Sequence, residues 1–423
     1  PPFPQPRSHS FVYDKLFMFL KKIMRSASPL FRKLQKLLDR MSTVLLENIT
    51  GVRVVRAFNK EAHEQNRLNT SFSGYADTSI KANRMFASLD GLSFFTVNVF
   101  VILVYSFSGF RVTAGAFAVA DLAAIIEYAM LALFYLMMAQ MVILTLPRAF
   151  ECADRVRTVL EFSPTIQDLT QKKVWFPASP AHVVQFQNVA FRFADSEEYT
   201  LKNLSFFCRR GETTAIIGGT GSGKSTVASL ILRFNDVTDG ALLLNGIDLR
   251  KMPQEQLRDH IAYVQQRAWL FAGTIRENLQ YSNPNASDEV LWHALEVAQA
   301  ADFVRSLPDG LDAFVAQGGT NFSGGQKQRL SIARALVKRP DLYIFDDSFS
   351  ALDFKTDAAL RRELAKETGD AAVLIIAQRV STIRHAQQII VLHEGEPVGI
   401  GTHDELLTKC SVYREIYEFC NPS

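Results

Sequence analysis

The chain has 423 residues, room for about two or three domains of ~100–200 residues each. Hydrophobic residues make up 48% and charged residues 21%, which excludes a disordered chain, and a net charge of +3 makes no electrostatic case for a nucleic-acid partner. Four cysteines, Cys152, Cys208, Cys410 and Cys420, form no CxxC pair, which excludes a disulfide scaffold and a zinc ribbon.

The opening PPFPQPRSHS has neither an initiating Met nor an apolar signal core, and it reads as a truncated or recombinant start. Residues 30–66 are expected to form one long helix outside the lipid. Leu34, Leu37, Leu38, Met41, Leu45, Ile49, Val52 and Phe58 keep helical spacing amid charge. Residues 91–110 and 128–146 carry no charge, and uncharged runs of ~18 or more span a bilayer. Residues 11–60 hold eleven Lys or Arg against Asp14, Asp39 and Glu47, and Arg148, Arg155 and Arg157 follow the second run. Basic flanks on both sides of the pair mark that side as cytoplasmic. Asp121 and Glu127 lie near the start of the second run, wetted at an interface or facing a cavity. Phe94, Phe95, Phe100, Tyr105, Phe107 and Phe134 face lipid, pack, or line an apolar path. Pro164, Pro177 and Pro180 mark a linker. The expected boundaries are a membrane domain over 1–160 with spans near 89–110 and 121–147, a linker over 161–182, and a second domain over 183–423.

In that second domain short apolar runs alternate with helical stretches: TTAIIG (213–218), ALLL (241–244), IAYV (261–264), LYIF (342–345), AVLII (372–376) and IIVL (389–392). An α/β domain with a largely parallel core is expected. Cys208, amid strand-like residues, is expected to be buried.

GGTGSGKST fits G-x-x-x-x-G-K-[ST] between a strand-like run and an apolar helix. It comprises Gly218, Gly219, Thr220, Gly221, Ser222, Gly223, Lys224, Ser225 and Thr226. The glycines let the backbone aim several N–H groups at phosphate oxygens. Lys224 is placed to reach the β- and γ-phosphates and Ser225 to ligate Mg²⁺, at a helix N-terminus that favours anions. A chance match in a chain this long is on the order of one in a hundred. LYIFDD is the matching acidic strand end, where Asp346 would face the metal.

NFSGGQKQRLSIARAL (Asn321–Leu336) resembles the signature of ABC transporter ATPase domains. Other elements of that family fall into order. Phe193 stands where the family stacks an aromatic ring on adenine, more often Tyr. Gln266 matches the Q-loop glutamine, a metal contact, with Gln265 where Pro is usual. Ser350–Asp353 (SALD) matches the D-loop, and Val315–Asn321 the segment ahead of the signature. The resemblance to exporter-type half-transporters covers nearly everything after residue 28. It implies an all-α transmembrane domain, present in part, then an α/β P-loop ATPase domain with a helical subdomain. The two spans would be helices five and six of six, with about four helices missing upstream. A coupling turn is implied within residues 67–85.

The family holds ATP between two ATPase domains facing head to tail. One domain gives the phosphate loop, the other the signature. Ser323, Gly324, Gly325, Gln326 and Asp353 would therefore contact the nucleotide of a partner chain. The resemblance implies a multi-pass protein of the cell membrane with a cytoplasmic ATPase domain, using ATP and Mg²⁺. It also implies export of apolar drugs, lipids or peptides, without nucleic acid.

Two departures bear on catalysis. The residue after Asp346 is normally Glu and here is Asp347, whose carboxylate falls more than ~1 Å short; a misplacement of that size costs roughly 100-fold in rate. Gln378 stands where the family has its switch histidine, and Gln carries no positive charge. Together they resemble the degenerate subunit of heterodimeric bacterial multidrug exporters, whose own site hydrolyses poorly while its signature completes the partner's competent site. Two alternatives stay open: a soluble ABC ATPase acting on nucleic acid or ribosomes, and a non-transporting truncated remnant.

Overall fold

The computed structural model describes residues 29, 32–113, 119–168, 173–177 and 182–420. The expectations for the opening segment, and for parts of the inter-span stretch and the linker, lie outside the described residues. The chain divides into two units, Pro1–Ser163 and Pro164–Ser423.

The first unit is helical: α1 over residues 32–50, α2 (Val52–Ala57), α3 (Glu61–Thr113) and α4 (Val119–Leu160). The single helix expected over 30–66 is broken. Its ladder continues to Gly51, whose N–H still donates to Glu47 O at 2.8 Å, and resumes for one short helix. It ends at Asn59, which takes a left-handed φ of 52°. Asn59 N donates to Arg56 O at 3.2 Å and Lys60 N to Val55 O at 3.0 Å, the paired bonds of a Schellman stop. Asn tolerates this conformation at little cost, so AFNK is a helix terminator.

The chain then reverses. Arg67 Nη2 meets Glu47 Oε2 at 2.6 Å, so α1 and α3 run antiparallel. The turn expected within 67–85 is absent; those residues belong wholly to the 53-residue α3. The reversal sits at 51–60, because the Schellman asparagine, rather than any later residue, interrupts the helix. α4 continues through Pro147 to Leu160 and packs along α3. Among the described residues α3 is the one helix long and apolar enough to cross a membrane, and α4 adds the shorter apolar stretch Ala123–Tyr135. Phe94, Phe95, Phe100, Tyr105, Phe107 and Phe134 are all exposed, an apolar surface that water would not tolerate.

The second unit opens with β1 (Val184–Phe191), β2 (Leu201–Cys208) and β3 (Thr213–Gly218), then α5 (Lys224–Ile231). β4 (Asp239–Leu244), β5 (Ile247–Asp248), α6 (Gln254–Asp259) and β6 (Ile261–Val264) follow. A mainly helical insertion holds β7 (Gly273–Thr274), α7 (Ile275–Gln280), α8 (Asp288–Val297), α9 (Ala301–Arg305), β8 (Phe314–Val315) and α10 (Gly324–Lys338). The chain returns through β9 (Leu342–Asp346), α11 (Phe354–Glu367), β10 (Ala372–Ala377) and α12 (Val380–Ile383). It finishes with β11 (Gln388–His393), β12 (Glu396–Gly401), α13 (His403–Lys409) and α14 (Ser411–Cys420).

The core sheet has the order β12-β11-β3-β10-β9-β6 and is parallel except for β12. Its strands are continuous apolar runs because both faces are covered. Ile216, Leu342, Ile344, Leu374 and Ile376 pack toward a second sheet of order β2-β1-β4-β5. Ile217, Tyr343, Phe345, Val373 and Ile375 pack toward the helices on the opposite face. That second sheet is antiparallel throughout, and Cys208 is buried in it. Parallel pairing sends the carboxyl ends of β3, β6, β9 and β10 to one edge, where open α/β sheets bind ligands.

Candidate active site

β3 ends at Gly218, where a Cβ would lie 2.1 Å from Leu392 O; only glycine lets β11 pass so close. The loop then needs left-handed backbone at Gly223, φ 92°, where a Cβ would also strike Leu201 at 2.7 Å. Ser222 closes the turn, its hydroxyl donating to Gly219 O at 2.9 Å. α5 starts at Lys224 with no side chain capping its N-terminus, so its first-turn amides carry the positive end of the helix dipole. Gly219, Thr220, Gly221 and Ser225 are exposed at this mouth, and Thr226 is half-buried.

Lys224 is 9% exposed. Its Nζ turns back onto the loop, donating to Gly218 O at 2.8 Å and Gly219 O at 2.6 Å. Burial pulls its pKa down, against the nearby Asp347 and Asp346 charges. Two neutral carbonyls are weaker partners for an ammonium than an anion would be, so the lysine is set to exchange them.

β9 delivers Asp346, 4% exposed. Its Oδ1 accepts from Ser225 Oγ at 3.4 Å and its Oδ2 from Tyr263 OH at 3.1 Å. Burial raises its pKa, and the Tyr263 and Ser225 hydrogen bonds offset that in part. One hydroxyl and one carboxylate, both hard oxygen donors side by side, fit Mg²⁺ completed by phosphate oxygens and water.

Asp347 adopts a left-handed φ of 46°. Its N–H donates to Ile376 O at 2.8 Å, and its carbonyl accepts from Ser350 Oγ at 2.9 Å. Its Oδ2 accepts from Gln266 Nε2 at 3.2 Å, so Gln266 reaches Asp347 rather than Asp346. Burial raises the Asp347 pKa, opposed by the Gln266 and Ser350 hydrogen bonds.

Phe193 follows β1, 45% exposed, edge-on to Phe191 at 4.8 Å. Thr200, at the other end of that loop, has its carbonyl 3.0 Å from where a Gly223 Cβ would sit, so this loop borders the phosphate loop. Gln378 is exposed just beyond β10 and makes no side-chain hydrogen bond among the described residues.

The signature residues form a second cluster. Ser323 caps α10: its Oγ accepts from Gln326 N at 3.3 Å, and Gln326 Oε1 accepts from Ser323 N at 2.9 Å. A Cβ on Gly325 would lie 3.3 Å from Ala351 O, which sets the signature against the D-loop. Asp353 caps α11, accepting from Thr356 N at 3.0 Å. Among the described residues no hydrogen bond joins Ser323–Gln326 to Gly218–Thr226. Sequence reading missed three neighbours: Tyr263 on Asp346, Gln328, 2% exposed and donating to Gln265 O at 3.3 Å, and Arg379 beside Gln378. A polar residue within or beside an apolar run was their only signal.

Residues 201–350 match the family described as ABC transporter, and residues 16–137 the ABC transporter transmembrane region. An uncharacterized ABC transporter ATP-binding protein of Mycobacterium tuberculosis is 40% identical over 391 residues, 92% of this chain and 66% of that protein. A second, from Bacillus subtilis, is 35% identical over 409 residues, 95% of this chain and 69% of its own length. A solved bacterial Atm1-family ABC exporter with ATP bound superposes with a TM-score of 0.86 at 28% identity, over 97% of this chain and 71% of that one. The chain thus spans 66% of the length of its mycobacterial relative.

Proposed function

The chain belongs to the ABC transporter family, as an integral protein of the plasma membrane with its ATPase domain in the cytoplasm, and from that premise we propose that it is one half of an ATP-driven exporter. Residues 1–160 would supply part of the membrane domain, 161–182 the linker and 183–423 the ATPase domain. The observation that carries this reading is the convergence of Lys224, Ser225, Asp346, Asp347 and Gln266 at one edge of the parallel sheet. The transmembrane-region match and the apolar length of α3 favour it over a soluble ATPase acting on nucleic acid or ribosomes.

In this reading Phe193 stacks on adenine. The α5 N-terminus and Gly218–Thr226 receive the phosphates, and Lys224 leaves the Gly218 and Gly219 carbonyls for the β- and γ-oxygens. Ser225 and Asp346 would hold Mg²⁺, with Gln266 as a further contact, and the ion when bound would supply charge neutralisation to the phosphates. Asp347 orients the attacking water. Ser323 and the Gly324–Gly325 amides, with Gln326 and Asp353 at the same face, meet the γ-phosphate held by a second chain. Sharing of each ATP site between two chains would make dimerisation part of the mechanism, and the transported solute would be an apolar drug, lipid or peptide.

Asp347 and Gln378 give this subunit a slow site of its own, while the intact Ser323–Gln326 signature completes a fast one on a partner. The test is to extract the tagged protein in mild detergent and take intact masses of every co-purifying species. A second half-transporter, carrying Glu after its acidic strand and His at its switch, is expected. Two identical chains, or this chain alone, would overturn the heterodimer.

A further inference from the structure

Tyr263 is the one polar residue of β6, IAYV. β6 lies beside β9 with Tyr263 opposite Ile344 and Val264 opposite Phe345. Tyr263 packs against the same apolar cluster as Ile344, so the two share a face of the sheet. Asp346 lies two residues past Ile344, and strand alternation returns its side chain to that face. Two residues are about 6.6 Å along a parallel strand, within reach of a phenol on the neighbouring one. The hydroxyl arrives there, donating to Asp346 Oδ2 at 3.1 Å. A Phe would pack the same way and leave that oxygen without its partner.

Asp346 is 4% exposed, and among the described residues the donors to its carboxylate are Tyr263 and Ser225. They hold different oxygens. Ser225 Oγ stands 3.4 Å from Oδ1, at the long limit of a hydrogen bond, and a hydroxyl that turns a lone pair to a cation is no fixed restraint. Gln266 is bonded to Asp347 instead. The terminal torsion of an Asp side chain is broad, so the carboxylate plane needs a second anchor. Tyr263 is that anchor.

We propose that Tyr263 is the positioning residue for Asp346: its hydroxyl, donating to Oδ2, turns Oδ1 toward Ser225 and so sets the pair of oxygens that would hold Mg²⁺. It touches neither ion nor nucleotide and acts only through Asp346, as hydrogen-bond partners behind metal ligands do. The inference rests on the reading that Ser225 and Asp346 hold Mg²⁺.

The experiment uses the full-length protein with its partner in lipid nanodiscs. 8-azido-ATP labelled at the α-phosphate is crosslinked on ice, and this chain is resolved on a gel, so the label reports occupancy of its own site and not turnover. The half-labelling concentration is measured in EDTA and at saturating Mg²⁺. The ratio of the two is the Mg²⁺ enhancement, which by linkage follows the affinity of the nucleotide-bound site for the ion. Tyr263→Phe is expected to leave the EDTA value within about twofold of the natural one and to lower the enhancement about tenfold, or to remove it where it is smaller than that. In an Asp346→Asn background Tyr263→Phe should change nothing further. Equal weakening in EDTA and in Mg²⁺ would mean that Tyr263 only shapes the fold, and would overturn the proposal. So would an unchanged enhancement, or a further loss in the Asn background. The Mg²⁺ reading fails by a different result: Asp346→Asn alone would then keep the natural enhancement, and the proposal would fall with it.

Discussion

Lys224 and Asp341 are both paired side chains of the ATPase domain, but they answer to different variables. Lys224 is solvated by two carbonyls of its own loop, so Lys224→Ala leaves the fold largely in place and removes the cation from the phosphate site. A loss of at least about tenfold in affinity for a fluorescent ATP analogue is expected. Asp341 is structural. His260 Nδ1 at 2.7 Å, Arg210 Nη2 at 2.6 Å and Asn245 Nδ2 at 3.2 Å hold its carboxyl well below the usual carboxylate range. A depressed folded pKa stabilises fully above the unfolded value of about 3.9, and that contribution drains away as pH falls toward the folded pKa. Thermal melts of Asp341→Asn and parent should therefore differ most at pH 5 to 7, with the gap beginning to narrow only as pH falls below about 4 and persisting at pH 3. Cys208 is buried, and burial pushes its thiol up to about 12, so it should resist a maleimide that modifies exposed Cys152, read by peptide mass. The phosphate loop was legible at this scale because its residues are contiguous. Tyr263 on Asp346 was not, because it depends on which strand lies next to which.

Among the elements, the parallel strands were legible and the antiparallel ones mostly were not. TTAIIG, LYIF and AVLII are apolar at every position because both faces are buried. β1, VQFQNVAF, buries residues irregularly around two register shifts and carries a left-handed Asn188, so no clean period-2 pattern shows. In the first unit the apolar length was legible and the place of the turn was not. A smooth hydrophobic spacing over 30–66 hides a break that Asn59 imposes through backbone conformation alone. A β-branched residue tolerates that conformation poorly. Asn59→Val should cost about 1–2 kcal/mol and lower the melting temperature of the full-length protein, while Asn59→Gly should be neutral or better. Ser323→Ala removes the α10 cap and should cost about 1 kcal/mol in stability. It should also slow the site completed by this signature, a loss that the capping energy alone does not account for.

The molecule as a whole is built for partnership. Its helices leave large apolar side chains exposed along α3 and α4, which lipid and further helices would cover. Among the described residues no hydrogen bond joins the phosphate loop of its ATPase domain to the signature, which is consistent with the proposed sharing of each ATP site between two chains. In the proposed function the site of this chain hydrolyses slowly because Asp347 is short and Gln378 uncharged. The most direct measurement is the γ- to α-label ratio of azido-ATP on this chain, in the full-length complex, for the natural sequence and for Asp347→Glu with Gln378→His. A gain approaching 100-fold is expected in the double variant. A natural chain that already turns over as fast as that variant, and loses all activity with Asp347→Asn, would contradict it.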